Sequence, residues 1–96
     1  MFLAFEQVEA DGTVKTVADL TIPNNATHAE IQSDTQAVRY TMDDATDPTI
    51  AMGMIFLTTE PPRPFLIQDV SRIRFIRSIN QGTGNLNISY FAGRDV

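Results

Sequence analysis

Apolar and polar residues alternate with a period of two along most of the chain. Val14, Thr16, Ala18, Leu20 and Ile22 fall on one face, with Lys15, Asp19 and Thr21 opposite. Ala29 and Ile31 alternate with His28, Glu30 and Gln32, and Val38, Tyr40 and Met42 with Arg39 and Thr41. Near the end, Leu86, Ile88 and Tyr90 alternate with Asn85, Asn87 and Ser89. Successive strand side chains point to opposite faces, so this period marks strands with one dry and one wet face. Helical periodicity is sustained nowhere.

Turn chemistry separates the runs. Asp11-Gly12, between residues 2–9 and 14–22, reads as a hairpin turn. Pro23-Asn24-Asn25 ends the second run, and Asp43 to Pro48 forms a longer loop. Pro61-Pro62-Arg63-Pro64 lacks the N–H groups that a regular ladder needs. Gln81-Gly82-Thr83-Gly84 reads as a second hairpin. About eight strands follow, at 2–9, 14–22, 27–33, 36–42, 52–58, 65–67, 71–79 and 84–91. The pattern predicts one all-β domain over residues 1–96, an antiparallel β-sandwich of jelly-roll type, with an immunoglobulin-like sandwich as the alternative.

Two segments break the alternation. Met52, Met54 and Phe56 lie on one face of a strand with Ile55 and Leu57 on the other, and Phe2 and Ala4 oppose Leu3 and Phe5. A strand apolar on both faces must be covered on both, whereas a two-layer sandwich covers one face of each sheet. Either a second protein or the chain's own loops, such as 59–66, supplies the cover. Large exposed apolar patches on monomers mark interaction sites. Phe2, Leu3, Phe5, Ile55 and Leu57 are therefore candidate interface residues.

In Arg72-Ile73-Arg74-Phe75-Ile76-Arg77, strand alternation puts Ile73 and Phe75 inward, Arg72 and Arg74 together on the outer face, and a bulge at Phe75-Ile76. Arg72 and Arg74 join the interface set, with Asp43, Asp44 and Asp47 of a neighbouring subunit as their complement. Pairing with acids of the same chain is the rival account.

Composition narrows the function. A chain of 96 residues has a modest core, and small domains often draw stability from partners. Cysteine is absent, which excludes disulfides and thiol chemistry. With 7 basic against 12 acidic residues and a net charge of −5, nucleic acid and anionic membrane are disfavoured partners. No apolar run approaches the roughly 20 residues of a membrane helix. The opening MFLAF has no basic flank and is cut by Glu6, so it does not read as a secretory signal.

Catalytic sites are not legible either. His28 is the single imidazole and lies on a wet face beside Glu30. Trp is absent, so no carboxylate pair is framed by a sugar platform of that kind. The Asp43–Asp47 run lacks the spacing of an EF-hand and reads as a turn whose carboxylates bind backbone N–H groups. Gly82 and Gly84 join two strands, not a strand and a helix. The expectation is a non-enzymatic protein without metal or cofactor that acts by binding other proteins. It is expected to self-associate, with a trimer favoured by fold analogy.

The order Val38-Arg39-Tyr40-Thr41-Met42-Asp43, Asp47-Pro48-Thr49, Gly53-Met54, Ser71-Arg72-Ile73-Arg74-Phe75-Ile76, then Leu86-Asn87-Ile88-Ser89-Tyr90-Phe91, resembles small structural proteins of tailed bacteriophages. The resemblance spans roughly residues 26–91. It implies a virion component with a β-sandwich fold, such as a capsid decoration protein, made in the host cytoplasm and bound to capsid or connector proteins. It transfers no catalytic residues. A carbohydrate-binding or host-attachment module and a head–tail connector component are the alternatives.

Overall fold

The computed structural model describes residues 1–93. Its strands are β1 (Phe2–Ala10), β2 (Lys15–Thr16), β3 (His28–Asp34), β4 (Val38–Thr41), β5 (Met54–Phe56), β6 (Arg63–Leu66), β7 (Arg74–Arg77) and β8 (Gly84–Phe91). A single helical turn, α1 (Ile67–Val70), precedes β7. Two four-stranded sheets form, in the orders β1-β8-β3-β6 and β2-β7-β4-β5.

The pairing follows one simple scheme. β1 pairs with β8, β2 with β7, β3 with β6 and β4 with β5, all antiparallel. This is one long hairpin with its tip between β4 and β5. It is rolled so that alternate pairs fall in opposite sheets, and the β3–β8 and β4–β7 ladders stitch the roll together. That arrangement is a jelly roll, as the count of about eight strands predicts.

Alternation along β8 explains the core. Leu86, Ile88 and Tyr90 face inward and are fully buried, as are Ala29 and Ile31 beside them on β3. The opposite sheet contributes Val38, Tyr40, Phe56 and Phe75. Polar groups also tie the sheets together. Ser33 on β3 donates its hydroxyl to the Phe56 carbonyl at 3.0 Å. Arg63 on β6 donates to the Ile55 carbonyl at 2.8 Å and lies 4.5 Å over the Phe56 ring. Tyr40 stacks on that ring at 4.1 Å, and Phe65 meets both rings edge-on. Burial raises the Tyr40 pKa, and the Arg63 charge opposes the rise. Arg63 thus closes the β5–β6 side of the sandwich with a cation over aromatic faces.

Several expectations from the sequence are corrected. Neither Asp11-Gly12 nor Gln81–Gly84 closes a hairpin. Each carries the chain from one sheet to the other, from β1 to β2 and from β7 to β8. An Asp-Gly turn reverses the chain without dictating which sheet receives it. Here Asp11 accepts the Arg77 N–H at 3.0 Å, which fastens the crossing to the second sheet.

The run 14–22 is not one strand. Thr16 accepts a hydrogen bond from the Ala18 N–H at 3.2 Å, and Asp19 accepts one from the Thr16 N–H at 2.9 Å. This reciprocal cap turns Val17–Asp19 into a 3-10 turn. Nor is there a bulge at Phe75-Ile76. The β4–β7 register is regular, so Phe75 faces inward and Ile76 is buried on the outer face opposite Arg39. Pro64 is accommodated inside β6 because β6 is an edge strand.

Candidate interaction surface

The outer face of the first sheet carries the most exposed aromatics, Phe2 and Phe5. On β1 a register shift falls between Phe2 and Ala4. Phe2 aligns with Phe91 and Phe5 with Ser89, both on the outer face of β8. Without the bulge, Phe2 and Phe5 would sit on opposite faces, three positions apart in a period of two. With it, both point outward, 56% and 58% exposed.

Two further strands extend the patch. Phe91 lies opposite His28, and their rings stack at 5.2 Å, while Phe2 meets Phe91 edge-on at 5.9 Å. Leu66 on β6 lies opposite His28 and is 57% exposed. The corner is therefore an apolar band that crosses β1, β8, β3 and β6 at the end where the chain begins. His28, expected at a wet surface, is part of that band, and its Nδ1 lies 3.1 Å from the Thr27 hydroxyl.

Beyond the band the same face is polar. Gln7, Asn87 and Gln32 align side by side across β1, β8 and β3. Gln7 donates to the Asn87 side-chain oxygen at 2.8 Å, and Gln32 donates to the Glu60 carbonyl at 3.3 Å. The inner side of β1 carries Glu6. It accepts the hydroxyl of Tyr90 and the Thr21 N–H, which anchors the segment leading into β3. Burial first, and then the bond to Glu6, push the Tyr90 pKa far above its usual value, so the hydroxyl remains a donor.

The other candidate residues are scattered. Leu3 is half-buried against the core. Ile55 is half-buried on the outer face of the second sheet, and Leu57 is exposed in the turn after β5. Ile50 and Met52 in the β4–β5 loop and Met54 at the start of β5 are further exposed apolar residues.

Arg72 and Arg74 do not share a strand face. β7 starts at Arg74, and Arg72 lies in the turn after α1. Arg74 is committed within the chain. It reaches the Asp47 carboxylate at 2.7 Å, the Asp44 carbonyl at 3.0 Å and the Ala45 carbonyl at 3.3 Å. The bond to Asp47 leads the causes that raise its pKa. Asp44 and Asp47, two of the three acids expected on a neighbouring subunit, thus meet Arg74 in the same molecule.

Asp43 organises that loop. Its carboxylate accepts the Thr46 N–H at 2.8 Å, the Thr46 hydroxyl at 2.7 Å and the Ala45 N–H at 3.0 Å. These bonds lower its pKa from 3.8 to about 2. A carboxylate depressed on folding adds stability that is fully present above the unfolded value and is lost as pH falls through the folded one. The Asp43 contribution should therefore persist at pH 4 and above and disappear as pH falls toward about 2. A carbon-detected NMR titration should give Asp43 a midpoint near the lower value, and a midpoint at or above 3.8 contradicts this account of the loop.

The signal for Phe91 was present in the sequence, since Tyr90 faces inward and its neighbour must face outward. Leu66 was obscured by the prolines, which shifted the expected strand to 65–67. Among the described residues no cluster of His, Cys, Asp and Glu could hold a metal ion, and no helix is long and apolar enough to cross a membrane. Searches of protein-family models, curated proteins and solved structures return no match to this chain.

Proposed function

We propose that this chain is a non-enzymatic structural protein of a bacteriophage virion that decorates the capsid surface, docking through the outer face of its first sheet. The observation that carries the docking surface is the apolar band formed by Phe2, Phe5, Phe91 and Leu66. Aromatic residues are enriched in the buried centres of protein interfaces, and the polar rows around this band resemble an interface rim. The assignment to a virion rests on the sequence resemblance to small phage structural proteins, and the jelly roll is a fold common to capsid components.

A glycan-binding role would draw on the row of Gln7, Asn87 and Gln32 beside Phe5. Gln7 and Asn87 already bond each other and Gln32 bonds the Glu60 carbonyl, so much of this capacity is used inside the chain. That favours a protein partner.

The test is Phe5→Asp. Phe5 is exposed, so the variant should fold with stability close to the parent. Its binding to empty capsids should fall at least about 30-fold, the effect of losing roughly 2 kcal/mol at an interface hot spot. Unchanged capsid binding overturns the assignment of the docking face. Absence of capsid binding by the parent protein overturns the virion reading.

A further inference from the structure

Edges of β-sheets are templates for further pairing unless something blocks them. Three of the four edge strands here are blocked. β2 has 2 residues and β5 has 3, and β6 contains Pro64 just after Pro61 and Pro62. β1 is different. It has 9 residues, contains neither proline nor lysine, and among the described residues is paired along one side only, with β8; its bulge, a further edge-blunting device, is confined to the Phe2–Ala4 end and leaves Ala4–Ala10 regular. An inward-pointing charge can also protect an edge, but Glu6 is occupied by Tyr90 and Thr21. Ala4 and Val8 are half-buried although their neighbours Tyr90 and Leu86 are fully buried, as expected beside an open edge.

We propose that the free edge of β1 pairs antiparallel with β1 of a second copy, about a two-fold axis at Gln7, so that two molecules share one continuous sheet. Register selects this axis. Directly opposed residues lie on the same face of a sheet, so the axis passes through a residue and not between two. An axis at Glu6 sets that acid against itself, and like charges in this position are destabilising. An axis at Phe5 runs the ladder into the bulge between Phe2 and Ala4. An axis at Val8 shortens the overlap to Glu6–Ala10. At Gln7 the whole regular stretch from Ala4 to Ala10 pairs: Ala4 faces Ala10, Phe5 faces Glu9, and Glu6 faces Val8. No acid then meets an acid, which matters in a chain of net charge −5. The row of Gln32, Asn87 and Gln7 continues into its symmetry mate.

An edge pair of this kind is isologous and closes at two copies, not at the trimer favoured by fold analogy. Because the axis stands perpendicular to the shared sheet, the apolar bands of both copies lie on the same side. The dimer would present its docking face twice, which raises avidity for a repetitive surface. The inference does not depend on which assembly that surface belongs to.

Single-cysteine variants test it, since the parent has no cysteine. Gln7 is exposed, and the substitution removes only its bond to Asn87. With a short bis-maleimide, Gln7→Cys should cross-link mostly to dimers. Phe5→Cys and Glu9→Cys should each remain largely monomeric alone and cross-link when mixed. Sedimentation equilibrium of the parent should give a concentration-dependent dimer. A parent that stays monomeric at millimolar concentration, or sediments as a trimer, overturns the proposal. So does cross-linking of Phe5→Cys alone as efficient as that of Gln7→Cys. If Gln7→Cys fails to fold, the mixed pair and the sedimentation result decide.

Discussion

Replacing Phe75 with alanine should destabilise the domain by about 3–5 kcal/mol, the usual cost of deleting a buried aromatic ring. Phe75 is fully buried on the inner face of β7, flanked by Tyr40 on β4 and Lys15 on β2. It stands in the middle of the second sheet, where the rigid neighbouring strands leave little scope for collapse into the cavity. A small domain holds only about 5–15 kcal/mol in total, so the variant should approach the limit of folding. Chemical denaturation with an unchanged m-value reads the effect. A loss below about 1 kcal/mol would mean that the site relaxes far more than this packing allows.

Gly84→Ala should be nearly as damaging, at about 3 kcal/mol, the upper end of the range for overpacking. Gly84 opens β8 where the chain arrives from the opposite sheet. A Cβ there would sit 2.6 Å from the Gln36 carbonyl oxygen and 3.0 Å from a Val38 methyl. The first is main chain and cannot rotate away, so the connection between β3 and β4 must move. Gly12→Ala provides the control. Its Cβ would approach atoms at the far end of the Arg77 side chain, nearest at 3.0 Å, and that end need give way by only a few tenths of an ångström. Equal costs for the two substitutions would contradict this account of the crossing.

The sequence and the fold agree where a single rule acts. Alternation in residues 28–34, 38–41 and 84–91 reflects burial on one face, and burial on one face is what the sandwich imposes. Agreement fails where a local interaction overrides alternation. Thr16 and Asp19 form a cap that stops β2 after two residues, although the apolar positions continue to Ile22. The spacing of a capping box, Thr-x-x-Asp, was visible there but competes with a strong period of two.

The proposed docking face is legible in the sequence in part. Phe2 and Phe5 stood out as apolar residues in excess of what one buried face can absorb. Their common orientation depends on the bulge, which changes parity and leaves no mark on the residues themselves. Phe91, His28 and Leu66 come from distant strands, and only the order of the sheet brings them to Phe2. The arginines differ from expectation for a related reason. Alternation does not reach back to Arg72, because the residues before β7 form a helical turn and its exit. Arg74 meets Asp44 and Asp47 within its own chain, and spacing along the chain does not tell a loop folded onto its own strand from one offered to a neighbour.

The docking face and the free edge make separable demands on β1. On the proposals above, its outward side chains would bind a surface and its main chain would recruit a second copy. A variant that loses one property and keeps the other is therefore attainable.

We propose that the apolar band on the first sheet, and not the exposed Met52 and Met54 at the entry to β5, is the surface covered on a capsid. Hydroxyl-radical footprinting read by mass spectrometry tests it directly, because phenylalanine and methionine side chains are both labelled according to their exposure. Labelling of Phe2 and Phe5 should drop sharply when the protein is bound to capsids, while Met52 and Met54 keep the reactivity they have in the free chain. Protection of Met52 and Met54 with Phe2 and Phe5 still reactive would contradict the account.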